Sequence, residues 1–406
     1  MKVLLAVSRY PWPARRGDQV RALQTLDSLS AEHEVTLLAP EPGPNDPSPP
    51  SAAYRIETYR RRRAGVAAGL GRALARRLPA QSGLFYQADL GHRLRELAPA
   101  ADLGILQLVR LAVHLDDFGP LPLLVDLIDS LSLSVSRRAE VDRPLLRPAL
   151  RLEARRLALW EDRLVERAAA VTVVCERDRQ AIAGRLPPAL AARVAVVRLA
   201  VEERNAAGLA PEPLVRPSSE GGPLLAMTGN LGYFVNADAV AWWLAEVWPA
   251  LSRARPDVRV VVAGDRPPAR LRRAIRRAGA RLIESPPDLR AVLAQATLAL
   301  APMRCGAGVP VKVLEAWSVG VPVVATPWAA AGTTGRVGED LRVVQRPAEW
   351  VSAILELLDD PAERRRLAAN ARRRLAADYS PGEVRRELAE IVRRSAPAAG
   401  GRGHGH

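Results

Sequence analysis

Residues 298–326 read LALAPMRCGAGVPVKVLEAWSVGVPVVAT, and this stretch decides the fold. Two short apolar runs, Leu298–Ala301 and Pro322–Ala325, have the length and the Pro and Gly boundaries of buried strands. Between them, Val311–Val319 has the spacing of apolar residues that is typical of a helix. A strand, a helix and a second strand in this order predict part of a parallel sheet covered by helices.

The loop inside this unit predicts an anion-binding site. Gly306 and Gly308 allow the backbone to approach a ligand closely, and Pro310 suits the first position of a helix. The amide groups around the helix start, including those of Val309 and Val311, lie at the positive end of the helix dipole. Such a helix start is a ready site for phosphate.

Two charged residues in the helix extend this site. Lys312 lies in the first turn and can add a full positive charge. Glu315 is three residues further on, on the same helix face, and its carboxylate can accept two hydroxyls of a ribose. The alternative interpretation is a plain helix with an exposed Lys–Glu pair.

The alternation of apolar runs and amphipathic segments extends through both halves of the chain. The strands and helices predicted in the first half are Val3–Val7, Gln19–Leu29, Glu34–Leu38, Leu103–Leu106, Leu123–Ile128, Leu145–Arg167, Ala170–Val174 and Val194–Val197. Those predicted in the second half, besides the ones above, are Leu224–Met227, Ala237–Leu251, Val258–Ala263, Pro268–Ala278, Arg281–Glu284, Pro347–Leu358, Ala362–Ala377 and Gly382–Arg394. This pattern predicts the α/β class with two Rossmann-like domains.

The domain boundaries follow from a change in composition. The segment 205–223 is rich in Pro, Ser and Gly without helical periodicity, which is typical of a linker between domains. We therefore predict a first domain at 1–204, a second domain at 224–378, a helix at 379–395 that crosses back to the first domain, and a flexible tail at 396–406. Ligands are expected in a cleft outside the carboxyl ends of the strands.

Composition narrows the class of protein. The 406 residues are 48% hydrophobic and 25% charged, as in ordinary globular proteins. The net charge of +15 indicates an anionic partner, although all but two of the 59 basic residues are Arg, which codon bias explains equally well. The two lysines are Lys2 and Lys312, so a Lys at position 312 is conspicuous. Two cysteines fit a reducing compartment, and no apolar run is long enough to span a bilayer.

The stretch Val313-Leu-Glu-Ala-Trp-Ser-Val-Gly-Val-Pro-Val-Val-Ala-Thr326 resembles the signature of family 4 glycosyltransferases, which have the two-domain GT-B fold. The loop Pro11–Gly17, the strand end at 261–264 and the terminal helices are similar in type and order. The Gly-Ala-Gly loop and the Lys before Val-Leu-Glu resemble the subgroup of exopolysaccharide and cell-surface sugar transferases. The resemblance implies a UDP-, GDP- or dTDP-sugar donor, whose ribose is bound by Glu315 and whose diphosphate is bound by the loop amides.

The sequence departs from that family at two places. Position 307 is Ala, where the family often has a second glutamate that contacts the transferred sugar. No Arg and Lys follow Gly229, so the phosphate contacts there are left to Gly229 and Asn230. We expect Lys312 to compensate by neutralising the leaving diphosphate. Arg266 is a candidate substitute cation, with a solvated loop arginine as the equal alternative.

Two later residues of the second domain are expected to cap helices. Asn236 follows the first strand of this domain, and we expect it to cap the next helix. Asp288 is expected to cap a helix over Leu289–Ala294.

Three residues of the first domain are candidates for ligand contacts. The resemblance places Gly17 near the diphosphate. Arg21, one turn into the following helix, is expected to reach phosphate or acceptor. Asp129 follows the strand Leu123–Ile128 and is a candidate for orienting the acceptor hydroxyl, with a helix cap as the alternative. Asp178, after the next strand, is interpreted as structural.

The resulting hypothesis is a retaining glycosyltransferase that transfers a sugar to a lipid-linked or small-molecule glycan acceptor. No metal-ligand spacing is present, so no metal and no cofactor other than the donor is expected. The alternatives are a non-catalytic nucleotide-sugar binding or scaffold protein and a secondary-metabolite glycosyltransferase.

We expect a cytoplasmic protein. Two interpretations of the basic segment 59–78 are equally well supported. It can bind the inner face of an anionic membrane, or it can form a helix surrounded by solvent. Nucleic acid is not expected, since no binding module or interleaved aromatic residues are present.

Overall fold

The computed structural model describes residues 1–14, 16–49, 53–61, 63–75, 78–202 and 221–396. The chain forms two compact units, Met1–Leu199 with Val384–His406, and Ala200–Glu383. Most of the predicted linker, residues 205–220, and the tail from 397 onward lie outside the described residues.

The described residues of the first unit form a seven-stranded parallel sheet. Its strands are β1 (Lys2–Ala6), β2 (Glu34–Pro40), β3 (Arg55–Tyr59), β4 (Leu103–Gln107), β5 (Leu123–Ile128), β6 (Ala170–Val173) and β7 (Val194–Val196). Their order in the sheet is β3-β2-β1-β4-β5-β6-β7. On β1, Val3 pairs with Val35 on one side and with Leu103 on the other. These central strands are continuous apolar runs because helices cover both faces of a parallel sheet.

Helices connect the strands of the first unit. The α-helices are α1 (Gly17–Leu29), α2 (Arg63–Ala75), α3 (Ala80–Phe85), α4 (Ala88–Leu97), α5 (Leu131–Val141), α6 (Arg147–Arg167), α7 (Glu176–Ala183) and α8 (Pro188–Ala191). Short 3-10 helices cover Ala98–Ala100, Val109–Phe118 and Pro144–Leu146. Leu157 and Leu164 of α6 are fully buried beside strand residues such as Leu106 and Val125, so this helix face is part of the core.

The second unit contains a six-stranded parallel sheet within its described residues. Its strands are β8 (Leu224–Thr228), β9 (Arg259–Gly264), β10 (Arg281–Glu284), β11 (Leu298–Ala301), β12 (Val323–Ala325) and β13 (Arg342–Val343). Their order is β10-β9-β8-β11-β12-β13. The strand order turns back between β8 and β11, and ligands bind parallel sheets at such a switch point.

The remaining described helices lie in the second half of the chain. They are α9 (Phe234–Glu246), α10 (Trp248–Ala254), α11 (Ala269–Arg277), α12 (Leu289–Leu293), α13 (Val311–Ser318), α14 (Pro327–Ala330), α15 (Pro347–Asp359), α16 (Pro361–Asp378) and α17 (Pro381–Ser395). Trp243, Trp317 and Trp350 are each fully buried. Large apolar side chains of this kind dominate the energy of a core.

The last helix, α17, belongs to the first unit from Val384 onward. Glu387 on this helix accepts a hydrogen bond from the backbone N–H of Arg198 at 2.9 Å, and its carboxylate also forms an ion pair with the Arg198 guanidinium. Helix α17 therefore packs on the unit that contains β1.

Several elements differ from the sequence prediction, and three of the differences have a clear local cause. The helix predicted at Ala237–Leu251 is two helices, α9 and α10, because Pro249 has no N–H to continue the hydrogen-bond ladder of α9. Strand β3 was not predicted, since it is short and mostly polar and its burial is partial. Leu145 and Leu146, predicted as the start of the helix Leu145–Arg167, instead belong to a separate 3-10 turn, Pro144–Leu146, before α6.

Candidate functional site

In the second unit, the predicted site residues follow the carboxyl ends of four neighbouring strands. The loops after β8, β9, β10 and β11 begin at residues 229, 265, 285 and 302. Because the strands are parallel, these loops share one edge of the sheet. The sheet therefore brings together residues that are distant in sequence.

Lys312 lies at this edge, in the first turn of α13, and is half-buried. Its Nζ donates a hydrogen bond to Oδ1 of Asn236 on α9, at 2.5 Å. A side-chain carbon built at Gly229 would lie 3.3 Å from the same Nζ. The ammonium group is thus held against Gly229, the residue after β8, beside the loop in which the sequence lacks the Arg and Lys that the resemblance leads one to expect.

Asn236 connects two parts of this site. Its Nδ2 donates to the backbone oxygen of Asn230 at 2.9 Å, while its Oδ1 accepts from Lys312. The prediction that Asn236 caps a helix is wrong: α9 begins at Phe234, and the N-cap residue before it is Tyr233, whose side chain makes no capping hydrogen bond. The amide instead fixes Lys312 relative to the β8 loop.

The positive charge of Lys312 is destabilised by burial. Burial lowers its pKa to about 8, and the nearby Glu315 carboxylate opposes this shift. The side chain is therefore charged at neutral pH with incomplete compensation. A bound anion would supply the missing negative charge.

Glu315 lies one turn later on α13 and is also half-buried. Burial raises its pKa; Arg290 and Lys312 lower it and Asp288 raises it further. Its carboxylate accepts no hydrogen bond from the described part of the chain. A desolvated carboxylate without donors is suited to accept ligand hydroxyls.

Arg290 was not singled out in the sequence. It forms a two-pronged ion pair with Asp288, at 2.8 Å for Nη2 to Oδ2, and its charge acts on Glu315. Asp288 accepts the backbone N–H of Arg290 at 2.9 Å, so its predicted role as a helix cap is confirmed. Arg290 was missed because it is one of many arginines and no local motif marks it.

The loop before α13 needs its glycines. Gly306 has φ 109° and Gly308 has φ 72°, conformations that side chains rarely adopt. A side-chain carbon at Gly306 would also lie 3.1 Å from Val235. The loop is anchored by Trp328, whose indole N–H donates to the Gly306 carbonyl at 3.0 Å.

The start of α13 lacks a side-chain cap. Pro310 is the N-terminal cap residue and the helix begins at Val311. Val309 is buried and Val311 half-buried, so both side chains hold the loop in place. The amide groups of such a helix start are oriented to receive an acceptor, as the sequence predicts.

Arg266 adjoins this site through its backbone. Its carbonyl oxygen lies 3.2 Å from a side-chain carbon built at Gly232, its φ is 50°, and its side chain is exposed. No described carboxylate pairs with its guanidinium. Its role as a substitute cation stays a prediction.

The ends of β8 and β9 are packed very closely. Gly264 has φ 156°, and a side-chain carbon there would lie 1.7 Å from the carbonyl oxygen of Gly229. Only glycine fits at position 264, and this contact fixes the path of the loop that carries Gly229 and Asn230.

In the first unit, Arg21 does not have its predicted role. The side chain is 1% exposed, Nε donates to Asp126 at 2.8 Å, and Nη1 donates to the carbonyl of Arg198 at 2.8 Å. Position 21 lies on the face of α1 that packs on the sheet, with Ala22 and Thr25. The predicted contact of Arg21 with phosphate or acceptor is therefore wrong.

Gly17 is the first residue of α1 and is exposed. No atom lies within 4 Å of a side-chain carbon built there. The space in front of this helix start is open, and the predicted contact with a diphosphate stays a prediction.

Asp129 is half-buried directly after β5, following Ile128, whose φ is 65°. Burial raises the pKa of Asp129 to about 7, with a further increase from the charge of Asp178 and a decrease from Arg110. Ser130, not Asp129, caps α5 by accepting the N–H of Leu133 at 3.3 Å. The alternative role of Asp129 as a cap is therefore wrong.

The structural interpretation of Asp178 agrees with its contacts. It is fully buried, accepts the backbone N–H of Ser130 at 2.8 Å, and accepts the thiol of Cys175 at 3.2 Å. It joins the ends of β5 and β6.

Sequence reasoning missed a charged cluster at the same edge of the first sheet. Asp18 forms ion pairs with Arg9 and, at 3.5 Å, with Arg110. The two guanidinium groups lie 5.4 and 5.1 Å from the ring centre of Phe85. These residues come from four separate segments, so no spacing in the sequence joins them.

Among the described residues, no group of three or more metal-ligating side chains is present.

Comparison with known proteins gives a family match in the second unit. Residues 222–360 match the family model described as "Glycosyl transferases group 1". This range contains every candidate site residue of that unit. No curated protein matches the chain.

Solved structures resemble the chain over nearly its full length. HepE of Anabaena in complex with UDP and glucose has a TM-score of 0.67 and 16% identity, covering 97% of this chain and 99% of that one. Sucrose-phosphate synthase from Thermosynechococcus elongatus has a TM-score of 0.70 and 17% identity, covering 97% and 98%. WaaG, a glycosyltransferase involved in lipopolysaccharide biosynthesis, has a TM-score of 0.62 and 16% identity, covering 96% and 99%. The predicted GT-B fold and the resemblance to GT-B glycosyltransferases are confirmed.

Proposed function

From the GT-B fold and the match of residues 222–360 to the group 1 glycosyl transferases, we propose that this chain transfers a sugar from a nucleotide diphosphate donor. One observation carries the proposal: the Lys312 ammonium is held by Asn236 against Gly229, one helical turn from a Glu315 carboxylate that accepts no hydrogen bond from any described residue. A cation and a free carboxylate at a helix start are complementary to a diphosphate joined to a ribose.

In this proposal the donor lies at the start of α13. The loop amides between Gly306 and Val311 and the helix dipole bind the diphosphate. Lys312 neutralises the charge that remains, and Glu315 accepts the ribose hydroxyls. HepE of Anabaena has been solved with UDP and with UDP-glucose, which makes a uridine donor the first to test.

The reaction breaks the bond between the anomeric carbon and the diphosphate oxygen and forms a bond from that carbon to the acceptor oxygen. The acceptor hydroxyl attacks from the side on which the diphosphate leaves, and its proton passes to a diphosphate oxygen, so the configuration is retained. Lys312 stabilises the negative charge that develops on the leaving group, the work a metal ion does in other transferases.

The acceptor is proposed to be a lipid-linked or small-molecule glycan. WaaG, with the same fold, is a glycosyltransferase of lipopolysaccharide biosynthesis, which supports a cell-surface sugar pathway. Asp129, at the corresponding edge of the first sheet, is proposed to orient the acceptor hydroxyl.

The test is a panel of UDP-, GDP- and dTDP-sugars with the purified protein. Hydrolysis or transfer is measured by release of the nucleoside diphosphate, and binding of the same diphosphates is measured by calorimetry. Turnover of one donor supports the proposal. Binding without turnover for any sugar favours the non-catalytic alternative, which rests on Ala307 in place of a sugar-contacting glutamate, and absence of binding contradicts the donor site itself.

A further inference from the structure

Four leucines on the surface of the first unit are unusually exposed. Leu145 is 94% exposed, Leu146 44%, Leu152 50% and Leu159 64%. Leu152 and Leu159 are seven residues apart and therefore lie on one side of α6. Leu145 continues the same spacing into the 3-10 turn before the helix. Isolated exposed leucines are ordinary, but an aligned row of them marks a surface for interaction.

The leucines alternate with arginines. Arg143, Arg151, Arg155 and Arg163 are exposed on the same segment. Together with the four leucines, these residues are called the leucine–arginine face. The exposed residues between 143 and 165 include no acidic side chain, and the exposed Glu166 marks the end of the face near the end of α6.

The acidic residues of this segment point elsewhere. Glu161 is fully buried and is bound by Ser132. Glu153 accepts the backbone N–H of Ala80 at 3.0 Å. Asp162 is half-buried and pairs with Arg185 at 2.9 Å. No ion pair in the described part of the chain involves Arg151 or Arg155, whereas the charge of Arg143 acts on the neighbouring carboxylate of Asp142.

The opposite side of α6 is firmly held in the core. Ala154, Leu157, Leu164 and Val165 are buried there. The orientation of the helix is thereby fixed, and the leucines cannot turn inward.

We propose that the leucine–arginine face binds the surface of an anionic lipid bilayer. An interfacial helix inserts its apolar side chains into the boundary of head groups and acyl chains, while its arginines meet lipid phosphates. The long arginine side chains reach the head groups from positions flanking the leucines. No helix among the described residues is long and apolar enough to cross the bilayer, so this contact would be peripheral.

A second copy of the chain fits this face less well. A helix pair needs apolar residues at both core positions of the heptad. Here the positions three or four residues after Leu152 are Arg155 and Arg156. Pairing two such helices would bring arginines together without carboxylates. The anionic bilayer matches both the leucines and the charge.

This face differs from the basic segment 59–78 that the sequence indicates. Much of the basic part of that segment, including Arg76 and Arg77, lies outside the described residues. The proposal on α6 rests on exposed leucines instead.

The test is flotation of the full chain with vesicles of equal parts phosphatidylglycerol and phosphatidylcholine, beside vesicles of phosphatidylcholine alone. We expect binding to the anionic vesicles only. The double variant Leu152→Glu with Leu159→Glu should bind at least about tenfold more weakly, because it loses the burial of two leucine side chains. The matched control is Val337→Glu, since Val337 is 65% exposed and lies in the second unit.

A second pair of variants separates the face from net charge. Arg143→Gln with Arg151→Gln and Arg155→Gln removes three charges from the face. Arg273→Gln with Arg276→Gln and Arg277→Gln removes three exposed charges from α11. Circular dichroism and thermal melting confirm that each variant is folded.

Loss of binding in the face variants and not in their controls supports the proposal. Equal losses in both sets, or no binding by the native chain, overturn it. Sedimentation of the native chain as a dimer that the leucine variant converts to a monomer overturns it in favour of a second copy.

Discussion

Lys312 and Asn236, 76 residues apart, are joined by a hydrogen bond from the lysine ammonium on α13 to the amide oxygen on α9. The hydrogen bond makes the position of each side chain depend on the other. The amide of Asn236 is held in turn by the backbone of Asn230, so the lysine, the asparagine and the β8 loop form one unit. The charge that would face a ligand is therefore positioned before a ligand arrives.

We expect Lys312→Ala to lower the turnover of the donor at least about tenfold, because charge developing on the leaving diphosphate loses its neutralising cation. Initial rates at saturating donor measure this effect. Because burial lowers the pKa of Lys312 to about 8, the native rate at low donor concentration should fall as the pH rises through about 8, where the lysine loses its proton.

Asn236→Asp is the matched variant for this prediction. A carboxylate in place of the amide favours the charged lysine, so the alkaline fall in rate should move to higher pH. If the pH profile of the rate is the same in the native chain and in Asn236→Asp, deprotonation of Lys312 does not cause the alkaline fall and its proposed catalytic role is contradicted.

Glu315→Gln should weaken binding of the nucleoside diphosphate about tenfold, because the neutral amide is a poorer acceptor for two ribose hydroxyls. Calorimetry with the diphosphate measures the change. Glu246→Gln is the control, since Glu246 is exposed on α9, away from the loops at the carboxyl ends of the strands. Unchanged affinity in Glu315→Gln would refute the ribose contact.

Arg21→Met should destabilise the protein by about 3–5 kcal/mol, because Asp126 is left buried without its ion-pair partner. Denaturant unfolding measures the loss. The double variant Arg21→Met with Asp126→Asn should recover part of it, since no buried charge remains. A stable single variant with impaired binding of the diphosphate would instead restore the original ligand role of Arg21.

Asp129→Asn should raise the melting temperature at pH 8. The folded state raises the pKa of Asp129 to about 7, above the unfolded value near 4, so the native protein loses stability as the pH rises from 4 to 7. The asparagine variant avoids that cost, and its advantage should vanish near pH 4, where the carboxyl is neutral in both states. If the melting temperatures of the native chain and Asp129→Asn differ by the same amount at pH 8 and near pH 4, the charge of Asp129 is not the cause.

The parts of the site that follow from local rules were predicted from the sequence. Gly306 and Gly308 were singled out as residues that free the backbone of the loop, and both have a positive φ. Lys312 and Glu315 share a helix face because three residues make almost one turn. The alternation of apolar runs also predicted both parallel sheets.

The parts that depend on distant contacts were not predicted. Asn236 binds Lys312 across the sheet edge, a contact that no spacing encodes. Arg21 was expected to reach phosphate or acceptor, since a sequence does not reveal which arginine among so many turns toward a buried aspartate. Strand β3 was missed because an edge strand with polar residues lacks the apolar run that marks a buried one.

The sequence contains two lysines, Lys2 and Lys312. Because burial brings the pKa of Lys312 to about 8, much of its amine is unprotonated and nucleophilic in mildly alkaline buffer, whereas an ordinary lysine stays protonated. Acylating or aldehyde reagents would therefore mark this side chain with few competitors besides the amino terminus. A bound diphosphate would favour the protonated amine and shield it. The rate at which Lys312 is chemically modified therefore measures how much of the site is occupied by a diphosphate. No label on the ligand is needed.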